Sequence, residues 1–216
     1  MAETNLFDGK AITKEQFFEG GLEIPFINKF SEKTFFIKSI SENLEIKPED
    51  YQRIVEICNE KPIYKRFFEK KLNGRPYELE DAKTIVRLGH EGWQKKEWFI
   101  FFIYDDEGQI TGLLDIYSKP NEKEAVRLGY WNSQKHPGLM SYALGTLLEV
   151  AKAAGYKELF ATPRADNLSS QKVLENNGFK KEGSYMEDGL EWYRFVIDLT
   201  RQANFINEPK GSKIDA

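Results

Sequence analysis

The hydrophobic period changes partway along this chain, and that change limits the folds open to it. Between residues 48 and 95 apolar side chains recur at helical spacing. In PEDYQRIVEICN (48–59) proline comes early, acids fill the first turn, and Tyr51, Ile54, Val55 and Cys58 share one face. Asn73-Gly74 and Arg75-Pro76 then separate two further predicted helices, 63–72 and 79–95. From Glu97 the pattern becomes strand-like. Segments 97–104 and 109–117 flank Asp105-Asp106-Glu107-Gly108, which reads as a hairpin, and 124–131 (EAVRLGYW) follows as another strand. The stretch 142–154 is an amphipathic helix carried by Leu144, Leu147, Leu148 and Ala151 and stopped by Gly155. A strand at 157–162, a helix opening at Asn167, and two strands, 179–186 and 190–199, around Glu187-Asp188-Gly189 complete the order. With a first strand at 34–40, this predicts an α+β domain in which helices pack on one mixed sheet.

The ends read differently. Residues 1–31 show little period and several phenylalanines, which predicts an extension lying against a domain of residues 32–200. Residues 201–216 are polar and predict a loose tail. The most apolar run, 98–104 (WFIFFIY), is strand-sized, and the N-terminus lacks the basic-then-apolar layout of a secretory signal. A single cysteine, Cys58, permits no intrachain disulfide, and a net charge of -4 gives no basic footprint. We therefore expect a cytoplasmic protein with no nucleic-acid or membrane partner. His90, His136 and Cys58 are too few and too far apart to suggest a metal site, and Cys58 sits on the apolar face of its helix.

Two segments carry polar chemistry. NSQKHPGLMSYA (132–143) is a small-residue loop entering a helix, where free N–H groups and the helix dipole favour an anion. Gly138 and Ser141 keep its backbone approachable, and Lys135 or His136 could add charge; ordinary chain punctuation is the alternative. ADNLSSQKVLENNGF (165–179) puts Asn167 and Ser170 three apart at a helix start, as a cap or as the wall of a ligand site.

The combination of strand, loop, Leu-rich helix, strand and N-x-x-S-x-x-V-L-E-x-x-G-F resembles the core of the GNAT superfamily of acyl-CoA-dependent N-acetyltransferases. The branch containing the ribosomal-protein N-terminal acetyltransferases is the nearest in flavour. Gly129, Tyr130 and Trp131 carry the likeness, with Tyr142, Ala143, Asn167, Ser170, Val173, Leu174, Glu175, Gly178 and Phe179. It spans roughly residues 34–199. The resemblance implies one mostly antiparallel mixed sheet with helices on both faces, and two strands, ending at Trp131 and Thr162, that splay to admit the pantetheine arm of acetyl-CoA. It implies that Tyr130, Trp131 and Asn132 bind that arm, that Gly138, Leu139, Met140, Ser141, Tyr142 and Ala143 hold the pyrophosphate, and that Asn167 and Ser170 lie near the sulfur. The acceptor would be an amine on a small molecule or peptide. No metal is implied, and a homodimer is left open, since the extension could cover either the acceptor side or a dimer surface.

Two departures matter. The pyrophosphate loop has Gly138 and Ser141 where the family has a basic or amide residue and a glycine. Arg127 stands where this branch often has a glutamate before Gly-Tyr-Trp, and Leu174 where many members have the tyrosine that protonates the thiolate. Ser170 is then the catalytic candidate at the sulfur. The base is unassigned among Glu124, Glu187, Asp188 and a water chain. A non-catalytic acyl-CoA-binding module on the same fold is the alternative.

Overall fold

The computed structural model describes residues 14–118 and 126–201. Its eight strands form one sheet in the order β1-β2-β3-β4-β5-β6-β8-β7, antiparallel except between β5 and β6. The strands are β1 (Glu23–Asn28), β2 (Lys33–Ser39), β3 (Trp98–Tyr104), β4 (Ile110–Tyr117), β5 (Val126–Asn132), β6 (Glu158–Ala161), β7 (Lys180–Glu187) and β8 (Leu190–Asp198).

Strand β3 is apolar throughout because it is buried on both faces. On one side Phe99, Phe101 and Ile103 pack with Leu144, Leu147 and Leu148 of α5 (Leu139–Ala153) and with Leu174 of α6 (Leu168–Asn176). On the other, Ile100 and Phe102 meet Ile54 and Ile57 of α2 (Pro48–Cys58) and Ala82 and Val86 of α4 (Leu79–Lys95). Cys58 is buried in this second core, as its place on the apolar face predicts.

The described part of the expected extension packs on the domain and adds to it: α1 (Lys14–Glu19) buries Phe17 against Trp93, Phe99 and Tyr156, and β1 is an edge strand of the sheet. One expectation needs correction. The helix expected over 63–72 is instead a short α3 (Lys61–Ile63) running into a π-helical turn, Tyr64–Phe68. The wider turn lets Phe68 pack edge-on against Tyr77, with ring centres 4.6 Å apart, and brings Arg66 and Phe67 to the site described next. Helix α5 starts three residues before the predicted Tyr142. Glu124, the tail beyond 201, and residues 1–13 of the extension lie outside the described residues.

Candidate functional site

Strands β5 and β6 pair only at Val126↔Leu159 and Arg127↔Phe160, and then part. The cause is local. Past Ala161 the chain reaches Pro163, which has no N–H to offer β5, and its carbonyl instead accepts from Tyr193 N at 2.9 Å, so the segment follows β8. The edge of β5 from Leu128 to Asn132 is thereby left without a strand partner on that side. Such an edge can take an extended chain.

A cavity of about 300 Å³ fills this opening. Because side chains alternate along β5, its walls come from both faces of the sheet. Tyr130 points toward the α5–α6 side, where its hydroxyl lies 2.7 Å from Ser170 Oγ and donates to Ser170 O at 3.2 Å. Burial pushes the Tyr130 phenol well above its ordinary value, so it keeps its proton. Arg127, Gly129 and Trp131 face the opposite side, together with Asp115 of β4, which pairs with Gly129. Arg66, Phe67, Arg164 and Trp192 complete that wall.

Asp115 was not among the sequence candidates, yet it is the most perturbed acid of this wall. Its Oδ1 is buried, and the carboxyl is pushed up to about 6, chiefly by loss of water, with Arg127 pulling the other way. The Trp98 indole N–H lies near enough to favour the charged form, yet no hydrogen bond of full geometry joins the two, and Trp98 Nε1 and Asp115 Oδ1 have no other partner. A buried carboxylate oxygen with no donor marks a place for one. Gly129 makes room for it: a Cβ there would come within 2.6 Å of Asp115 Oδ2. The signal was present in the sequence as an aspartate inside the apolar strand ITGLLDIY, one strand away from the position where the branch's glutamate became Arg127.

The other expected residues divide. Tyr130, Trp131, Asn167 and Ser170 meet at the cavity. Asn167 is also a cap: its Oδ1 accepts from Ser170 N at 3.2 Å and from Ser169 Oγ at 3.0 Å. Asn132 and the loop from Gly138 to Ala143 are not part of the cavity wall. Gly138, at φ 74°, caps α5 without a side-chain acceptor, while Leu139, Met140 and Ala143 send their side chains into the core. Ser141 and Tyr142 are half-buried. The loop is held by Glu60, which accepts from Ser133 Oγ at 2.6 Å and Gln134 N at 2.9 Å, and by Asn28 Nδ2 donating to Pro137 O at 3.1 Å. His136 packs edge-on against Phe35, and burial lowers its pKa. Lys135 is exposed. Asp188 is exposed and paired with Lys70 at 2.5 Å, tying the β7–β8 hairpin tip to the turn after Phe68. Among the described residues no group of three His, Cys, Asp or Glu side chains is placed to hold a metal ion, and no helix is long and apolar enough to cross a membrane.

The geometry matches known proteins. Residues 44–180 match the model of the acetyltransferase (GNAT) domain. Among solved structures, RimJ of Mycobacterium smegmatis in complex with CoA-disulfide is 17% identical, with a TM-score of 0.63 over 80% of this chain and 86% of its own. RimL, a ribosomal-protein α-N-acetyltransferase in complex with coenzyme A, is 16% identical, with a TM-score of 0.62 over 76% of this chain and 93% of its own. Spermidine N-acetyltransferase from Vibrio cholerae, in complex with CoA and spermine, is 14% identical, with a TM-score of 0.61 over 80% and 98%. No curated protein matches in sequence. The family model covers more than half of the 216 residues, and the chain belongs to the GNAT acetyltransferase family.

Proposed function

We propose that this acetyltransferase moves an acetyl group from acetyl-CoA to a primary amine by direct attack on the thioester, with Asp115 as the proton acceptor. The pantetheine arm runs along the free edge of β5 at Tyr130, Trp131 and Asn132, and the diphosphate meets the uncapped first turn of α5 at Gly138 to Ala143. The thioester then lies in the cavity, with the sulfur toward Tyr130 and Ser170 and the acyl carbon toward Asp115. The amine nitrogen attacks the carbonyl carbon, and the nitrogen, cationic once the C–N bond exists, gives its proton to Asp115. The C–S bond breaks toward the hydroxyl pair, which donates to the departing thiolate. A carboxyl near 6 can return its proton through solvent to a thiolate whose conjugate acid lies near 8.5, so the net products are amide and free thiol.

The observation carrying this reading is that an unpartnered, buried carboxylate oxygen and a hydroxyl pair border one cavity from opposite faces of the sheet. It also weakens the part of the case for a non-catalytic CoA-binding module that rested on Arg127 at the glutamate position; the altered pyrophosphate loop is left to the CoA measurement below. The test is thiol release from acetyl-CoA with a panel of amines, beside a thermal shift with CoA alone. Stabilisation by CoA without release from any amine would leave the binding module as the correct reading.

A further inference from the structure

The acceptor side of the cavity is rich in cations. Arg66, Arg127 and Arg164 line it against the single carboxylate of Asp115. Arg164 is committed to Asp166 at 2.5 Å. Arg127 lies 5.1 Å from the centre of the Tyr117 ring, and neither it nor Arg66 has a carboxylate within ion-pair distance among the described residues. Trp192 adds a buried indole N–H that also lacks a partner. Donors without partners therefore outnumber acceptors on this wall.

We infer that the acceptor is an amine carrying a carboxylate or phosphate a few bonds away, its nitrogen on Asp115 and its anionic group between Arg66, Arg127 and the Trp192 N–H. The inference rests on the acetyl-transfer reading and narrows it. A guanidinium's planar fork of donors suits either oxyanion. Phe67, Trp131 and Trp192 present ring surface for the carbon skeleton between the two charges. A polyamine fits poorly, because its second ammonium would face two guanidiniums instead of a carboxylate.

Matched amines test this: β-alanine against β-alaninamide, O-phosphoethanolamine against ethanolamine, a Ser-Glu peptide amide against its Ser-Gln counterpart, and spermidine. Each is measured by thiol release and, independently, by added thermal stability of the CoA complex. The anionic member of at least one pair should show a KM lower by about tenfold or more and should stabilise the complex more than its neutral mate. Which pair responds tells carboxylate from phosphate and small molecule from peptide. Arg66→Glu should erase that preference, and Arg66→Lys should retain part of it. Selective stabilisation without thiol release upholds the anionic acceptor and refutes transfer. Equal response within every pair, spermidine as the best ligand, or no stabilisation by any amine overturns the inference.

Discussion

The hydroxyls of Tyr130 and Ser170 lie 2.7 Å apart and join β5 to the first turn of α6 at one wall of the cavity. The chain has Leu174 where many relatives carry a tyrosine, so the phenol reaches the sulfur side from a strand instead of the helix. Burial holds it protonated, and in the mechanism proposed above it donates a hydrogen bond to the departing thiolate and is not a strong acid. Tyr130→Phe should lower kcat by about ten- to a hundredfold with CoA affinity nearly unchanged, and Ser170→Ala should cost less. Steady-state kinetics with a parallel CoA titration check this. A loss confined to CoA binding would remove the pair from the chemical step.

Asp115 makes a prediction with a sign. As a base it must be ionised, so kcat/KM should rise with pH through about 6, beneath any rise due to the acceptor amine itself. Asp115→Asn should abolish that limb and lower kcat by about a hundredfold or more. Stability runs the other way. A carboxyl whose folded pKa is raised binds more protons folded than unfolded, so stability falls as pH climbs from 3.8 to about 6 and the full cost persists above. That interval is worth roughly 3 kcal/mol at most, and Arg127 is already included in it. Asp115→Asn should therefore melt higher than the wild type at pH 7–8 and lose that advantage near pH 4. Chemical denaturation across pH reads it directly.

How legible was this in the sequence? The elements from 97 onward carried strong signals: WFIFFIY, a Gly-closed hairpin, a Leu-rich face and a proline after β6. Strands and helices there fall within a few residues of expectation because local pattern and tertiary burial agree. Residues 14–28 were hidden. Their aromatic side chains follow no clean period because Phe17 fills a gap among rings from α4, β3 and the loop before β6, and β1 gains its meaning only by pairing with β2. The π-helical turn is likewise invisible to a 3.6-residue period. At the site, Tyr130 and Ser170 were named through the family resemblance, although their mutual contact was not. Asp115 was missed because one acid in an apolar strand says nothing of the glycine across the ladder that gives it room.

That glycine is a sharp probe. A Cβ at Gly129 would sit 2.6 Å from Asp115 Oδ2, the end of a side chain able to rotate. Gly129→Ala should therefore turn the carboxylate away with a small loss of stability, within about 1 kcal/mol, while kcat falls and the acidic limb of the pH profile moves. An unchanged profile would mean that the carboxylate does not act from its present position.

The first turn of α5 predicts a binding defect. Ser141 is half-buried there, and its carbonyl accepts from Asn177 Nδ2 at 3.1 Å. Ser141→Glu puts a bulky anion where the diphosphate should sit, beside helix N–H groups that a carboxylate can satisfy. The variant should fold, since acids suit a first turn, and should lose CoA-dependent thermal stabilisation. Retained CoA affinity would move the diphosphate elsewhere.

Asn167 is both a cap and a wall of the cavity, and two substitutions separate the roles. Its Oδ1 holds Ser170 N and Ser169 Oγ, and its side chain is buried. Asn167→Ala should lose about 1 kcal/mol, a fall of roughly 2–4 °C in Tm for a chain of this size. Its kcat should drop too, because the first turn that aims Ser170 at Tyr130 frays. Asn167→Asp keeps an acceptor for both donors and should recover most of the stability. It also adds a negative charge beside the position where the thiolate develops. That charge opposes the departing sulfur, so kcat should stay low although the fold is repaired. If both stability and turnover return with aspartate, Asn167 serves only as a cap, and the wall facing the sulfur is built from Tyr130 and Ser170 alone.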